Sequence, residues 1–409
     1  MTTYTLFSII IVLTALFAYV NERLIKLPPA IGLMLLAIIS SAILIVSGSL
    51  YPPLLEEIKS VLLQFDFSDL LLGSMLSFML FAGAIHIDVG ELNQEKWAVM
   101  VFSTISVVLS TFMIGTFFFY LLPLFDIQVS YIHCLLFGSV VSPTDPIAVM
   151  GILREAKIPR SLETKISGES LFNDGVAVVV FITISQTAEQ PGGLQWLDVA
   201  KLFAWEALGG ICLGLTVGYI GLLLMRRIEN YKVEVLLTLA IVMGGYSLAS
   251  LLHTSGPLAM VAAGILVGNE GRAHSMSSIA AEYIDKFWEL IDEVLNAILF
   301  VLIGLELLVI HFHATFIALG LIAIVATLVI RYISILLPAQ VIKFRERITH
   351  RTIFILTWGG LRGGLSIAMA LSLKPETHKE LWVAITYFIV AFSILVQGLT
   401  VGKLAKKLK

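Results

Sequence analysis

Hydropathy divides this chain into about thirteen apolar stretches of spanning or near-spanning length. They lie at 4–20, 28–47, 67–86, 97–121, 129–152, 163–186, 203–225, 235–253, 257–268, 287–309, 314–342, 351–372 and 380–402. About 20 apolar residues cross a hydrocarbon core of ~30 Å as a helix, and a spanning helix satisfies its own backbone groups where lipid offers no partner. The expected fold is therefore an all-α polytopic membrane protein of about thirteen transmembrane helices. Composition agrees: 58% of residues are hydrophobic and 13% charged, against about 25% charged in soluble domains. That excludes an ordinary soluble enzyme, a disordered chain and a nucleic-acid binder. Cys134 and Cys212 both sit in apolar runs, so neither a disulfide framework nor a cysteine metal site is implied.

The first stretch has no basic residue before Arg23 and no small-residue cleavage site, and reads as a retained helix. With the N-terminus outside, twenty of the 26 basic residues face the cytoplasm: Arg23, Lys26, Lys96, Arg154, Lys157, Arg160, Lys165, Arg226, Arg227, Lys232, Arg272, Lys286, Lys343, Arg345, Arg347, Arg351, Lys403, Lys406, Lys407 and Lys409. Lys59, Lys201, Lys374 and Lys379 fall outside, and Arg331 and Arg362 lie within spans. The positive-inside rule predicts this asymmetry, with the C-terminus cytoplasmic. The loops near 48–66, 187–202 and 269–286 are too short to fold alone, so residues 1–409 read as a single transmembrane domain. Ile279, Ala280, Tyr283, Ile284 and Phe287 among charges suggest an amphipathic interfacial helix in the third loop. No Walker-type glycine loop is present, which argues against a primary pump.

Ionisable groups at membrane depth cost roughly 2.5–3.5 kcal/mol each on insertion scales and mark function by default. Six stand out: Asp145, Glu169, Asp174, Glu306, Arg331 and Arg362. Asp174 lies about 16 Å into its helix at 1.5 Å per residue, near the midplane. In Ser167-Gly-Glu-Ser-Leu-Phe-Asn-Asp-Gly175, the pairs Ser170/Asp174 and Glu169/Asn173 are each four apart and form adjacent stripes. Two carboxylates, an amide and a hydroxyl on one side are hard oxygen ligands for a small alkali cation or a proton. A polar network gluing helices is the plainer reading, but it would need Ser or Asn rather than two acids.

Two stretches predict broken helices. In Ser142-Pro-Thr-Asp-Pro146 the prolines remove helix hydrogen bonds and push their neighbours out of the helical region. In Gly359-Gly-Leu-Arg-Gly-Gly364 four glycines weaken the helix by roughly 1 kcal/mol each relative to Ala. Freed carbonyls and half-helix ends can line a midplane site, with Asp145 offsetting the dipole of the second half-helix. The breaks fall in the fifth and twelfth spans. Reading the chain as six helices, a linker helix and six helices puts each in the fifth helix of its half, in opposite directions. That order is an inverted repeat with two crossing broken helices.

These strings, with Phe300-Val-Leu-Ile-Gly-Leu-Glu306 and Val396-Gln-Gly-Leu-Thr400, carry a family signature from about residue 130 to 400. The sequence resembles the NhaP-like sodium/proton antiporters of the monovalent cation:proton antiporter superfamily. The resemblance implies a homodimer in the cell membrane of a bacterium or archaeon, with a core that moves against a dimerisation domain. It implies that Asp174 takes Na⁺ (or Li⁺) and H⁺ in turn, with no cofactor beyond those ions. Thr144, Asp145 and Ser170 look like the other ion-site positions. Glu169 looks like the acid paired with Arg331, and Asn173 like a site residue that does not titrate. Asn ahead of Asp goes with electroneutral, one-for-one exchange.

In one place the sequence departs from several members. Phe81-Ala-Gly-Ala84 stands where they carry an acid in the third helix, so the role of such a group at Ala82 is in doubt. Four embedded acids also face two arginines, which leaves Asp145 or Glu306 neutral, hydrated or matched by Arg362. His133 reads as a satisfied polar group, and His311 and His313 as loop residues rather than metal ligands. A K⁺/H⁺ antiporter of the same fold, a cation channel and an intramembrane hydrolase are the alternatives. The hydrolase lacks a Ser–His pair and a nucleophile elbow.

Overall fold

A computed structural model describes residues 3–48, 52–53, 56, 58–59, 67–189, 196–310, 313–342 and 348–408. His311, Lys343, Arg345, Arg347 and Lys409 lie outside the described residues. Helices occupy all thirteen apolar stretches. They are α1 (Thr3–Val20), α2 (Pro29–Gly48), α3 (Phe67–Ile85), α4 (Val89–Leu121), α5 (Tyr131–Val140), α6 (Ile147–Glu155), α7 (Arg160–Glu189), α8 (Trp196–Met225), α9 (Tyr231–Leu251) and α10 (Gly256–Leu266). After them come α11 (Ser278–Glu306), α12 (Ala314–Val341), α13 (His350–Gly359), α14 (Gly364–Leu371), α15 (Lys379–Phe392) and α16 (Gly398–Leu408). Among the described residues, nine continuous helices are long and apolar enough to cross a bilayer.

The four stretches outside those nine differ for legible reasons. Two are the broken pairs α5/α6 and α13/α14. α10 is short: Ser255 caps its start by accepting from Leu258 N at 3.3 Å, with Pro257 in the first turn, and it ends in a π-turn over Val267–Gly271. α11 is long but charged.

The expected interfacial helix in 269–286 is corrected here. Ser277 caps a single continuous helix from Ser278 to Glu306, so the amphipathic residues form its first turns. No Pro or Gly interrupts it before Gly304, so nothing in the backbone separates the surface turns from the buried ones.

Packing sorts the helices into two groups. In one, α4 packs on α5, α7 and α12, and α15 packs on α12 and α14. In the other, α10 packs on α3, α8 and α9, while α11 packs on α2, α3 and α9. Small polar residues allow close approach inside the first group: Ser106 and Ser110 of α4 donate to the backbone and hydroxyl oxygens of Ser334 on α12 at 2.8 and 3.0 Å. The site lies where α6, α7 and α14 meet the second group.

Candidate functional site

The two breaks meet. Asp145 N donates to Leu361 O at 2.7 Å in an isolated antiparallel bridge, so each unwound segment supplies a backbone partner to the other. At membrane depth such groups have no water to turn to. Arg362 completes the exchange, with Nη1 donating to Ser142 O and, at 2.6 Å, to Pro143 O. Its guanidinium thus sits just beyond the C-terminus of α5, where a helix dipole favours a cation. Glycine is required here for close approach rather than for unusual torsions. A Cβ on Gly363 would lie 2.6 Å from Asp145 Oδ2 and 2.7 Å from its Cβ, and one on Gly360 would lie 3.1 Å from Thr144 Cγ2 and 3.3 Å from Arg331 Nη2.

Behind the crossing, α7 contributes a buried polar network. Glu169 pairs with Arg331 of α12, and each is 2% exposed. Arg331 Nη2 also reaches Thr144 Oγ1 at 3.5 Å. Asn173 spends both ends of its amide on Thr144: Nδ2 donates to Oγ1 at 2.7 Å, and Oδ1 accepts from Thr144 N at 3.4 Å. Asn173 and Thr144 are 0% and 1% exposed. The amide therefore fixes the residue beside Asp145.

Asp174, Asp145 and Ser170 face the other way. They line a cavity of about 630 Å³ that extends to Arg154, His86 and Asp285 at helix ends adjoining the basic loops. Asp145 and Asp174 are half-buried, whereas Glu169 is sealed from solvent. Of the acids at the crossing, only these two meet a path along which an ion could come. Ala82 lines the same cavity. Glu306 sits at the C-terminal end of α11 and is not part of the cavity lining. The structure therefore sets three acids, Asp145, Glu169 and Asp174, against Arg331 and Arg362.

Sequence reading missed part of this wall. Asp285, Glu289, Asp292 and Glu293 of α11 line the cavity, and Arg272 pairs with Asp285. Their spacing of three and four residues on one face was the available signal. A second omission is the buried Lys165–Glu95 pair, 3.1 Å apart, which ties α7 to α4.

The sodium/hydrogen exchanger transmembrane family matches residues 11–407. The chain belongs to that family. The Na⁺/H⁺ antiporter NhaP of Pseudomonas aeruginosa is 47% identical to it over 407 residues, covering 97% of this chain and 95% of that protein. The Na⁺/H⁺ antiporter NhaH of Halobacillus dabanensis is 31% identical, covering 94% and 93%. Among solved structures, the sodium/proton antiporter MjNhaP1 of Methanocaldococcus jannaschii superposes with a TM-score of 0.74 at 18% identity, covering 98% of this chain and 97% of that one. That likeness concerns the fold. This exchanger is thus a multi-pass membrane protein of a transporter family, not an enzyme.

Proposed function

We propose that this exchanger moves Na⁺ against H⁺, one for one, by alternating access of Asp174 to the two faces of the membrane. Charge balance at the crossing carries the reading. Three carboxylates and two guanidiniums leave one negative charge, and one monovalent cation or one proton cancels it. Taking charge into hydrocarbon is costly, so the loaded, neutral site can cross and the empty one is held back. Such a cycle exchanges one cation for one proton and needs no bound group beyond the transported ions. The names of the NhaP and NhaH relatives favour Na⁺ over K⁺.

Asp174 and Asp145 supply the carboxylate oxygens and Ser170 a hydroxyl, while Thr144 and Asn173 hold the first break in place. The cavity then opens to the cytoplasm, because it ends among the basic loops. The N-terminus is outside, the C-terminus cytoplasmic, and the protein resides in the cell membrane as a homodimer. The group built on α4–α7 and α12–α16 is the moving core. The group built on α8–α11 with α1–α3 makes the dimer contacts.

Proteoliposomes with a pH-reporting dye test this. A Na⁺ gradient should drive protons uphill, which a channel cannot do, at rates that clamped voltage leaves unchanged. Asp174→Asn should abolish exchange in a folded protein, and Asp174→Glu should leave partial activity. Wild-type rates in Asp174→Asn would sink the mechanism.

A further inference from the structure

The string Val396-Gln-Gly-Leu-Thr400 has no part in the ion site, yet, with Ser393 just ahead of it, it touches the second break at three points. The side chains of Ser393 and Gln397 act on two backbone groups that an α-helix would join. In an uninterrupted helix Arg362 N–H would donate to Trp358 C=O, four residues earlier. Here α13 ends at Gly359 and α14 begins at Gly364, so that bond is not made. Arg362 N donates instead to Ser393 Oγ at 3.0 Å. Ser393 Oγ donates to Gln397 Oε1, and Gln397 Nε2 donates to Trp358 O at 3.0 Å. Two side chains have been inserted into one broken backbone hydrogen bond, and each end is satisfied.

Local structure explains how they reach. Residues 393–397 form a π-turn between α15 and α16, a local widening that recurs at functional sites. Ser393 and Gln397 stand four apart, on one face, and are 1% and 2% exposed. Thr400 fixes the same tryptophan from the side, its Oγ1 accepting from Trp358 Nε1 at 2.9 Å.

We infer that Ser393 and Gln397 are positioning residues that hold the second break open at the register the ion site needs. The chain of contacts is short. Arg362 N is held by Ser393, the preceding Leu361 O accepts from Asp145 N at 2.7 Å, and the Arg362 side chain holds Ser142 and Pro143. Without the relay, Trp358 O and Arg362 N lose their partners, and the bridge that sets Asp145 loses its footing. A buried hydrogen bond left unmade is worth about tenfold or more in an equilibrium. The inference rests on the exchange reading above.

The experiment uses the full chain with Ser393→Ala, Gln397→Met, the double variant, and Ser393→Thr, which keeps a hydroxyl. Hydrogen–deuterium exchange over residues 356–364 reads the break directly, without transport. It should rise in the first three variants and return toward wild type in Ser393→Thr. In proteoliposomes the Na⁺ concentration for half-maximal exchange should rise about tenfold in each single variant. The double variant should be no worse than either single, because one relay is lost only once. Additive losses, or an unchanged Na⁺ dependence in Ser393→Ala, overturn the inference. Wild-type liposomes that fail to exchange at all would refute the transport reading instead, with amide protection still reporting on the relay.

Discussion

Replacing Glu169 by Met while leaving Arg331 in place should destabilise the protein by about 3–5 kcal/mol, the usual cost of a buried charge stripped of its partner. The structure puts the pair at the severe end, because both residues are 2% exposed. Against a total stability of about 5–15 kcal/mol, that is a large share. Arg331→Met should cost a similar amount, since it leaves the carboxylate buried alone. The double variant Glu169→Met/Arg331→Met should recover most of the loss, because apolar replacement of a whole buried pair is often neutral. Thr144 keeps its Asn173 bonds in all three.

Function should follow charge. Glu169→Met makes the empty site neutral and the loaded site positive, and Arg331→Met makes the loaded site negative. The double variant restores one negative charge when empty and none when loaded. Exchange should therefore fall at least tenfold in each single variant and reappear in the double. Chemical unfolding followed by tryptophan fluorescence gives the stability, and dye-reported proton flux gives the rate. A Glu169→Met protein as stable and active as wild type, or a double variant worse than both singles, would refute this electrostatic reasoning.

Other outcomes follow from the same geometry. Asn173→Asp adds one negative charge beside the site, so exchange rates that are flat with voltage in the wild type should become voltage-dependent under clamped potential. Gly363→Ala drives a methyl to within 2.7 Å of Asp145 Cβ, which a rotamer change cannot relieve. It should cost about 1–3 kcal/mol of stability and most of the exchange, measured on protein that still elutes as a folded species. Asp292→Asn removes a carboxylate from the cavity wall. It should raise the Na⁺ concentration for half-maximal exchange by about two- to fivefold at low salt, leave the maximal rate, and lose its effect as salt screens the cavity.

Much of this fold was legible because a bilayer imposes local rules. Span limits follow from runs of apolar residues, and all thirteen stretches are helical. The breaks were readable for the same reason, since Pro146 and the glycines at 359–364 change what the backbone can do where they stand. The loop at 269–286 misled for want of a local stop: its amphipathic pattern looks the same whether the helix ends or continues, and it continues. The acids at 285–293 were passed over because a charged run beside a span resembles a solvated helix end until a cavity is found beside it.

What the sequence determined is what depends on near neighbours: the helices, the two breaks, and the identity of the costly charges. Tertiary structure decided what those charges meet. Arg362 holds carbonyls of the first break, Glu306 is not part of the cavity lining, and Asp145 reaches the cavity while Glu169 is sealed behind it. The relay of Ser393 and Gln397 spans more than thirty residues to reach the bond it replaces. The physical reason is that a buried polar group must find some partner, whereas which partner it finds depends on how distant helices pack. Spacing along the chain announces the need, and only packing fills it.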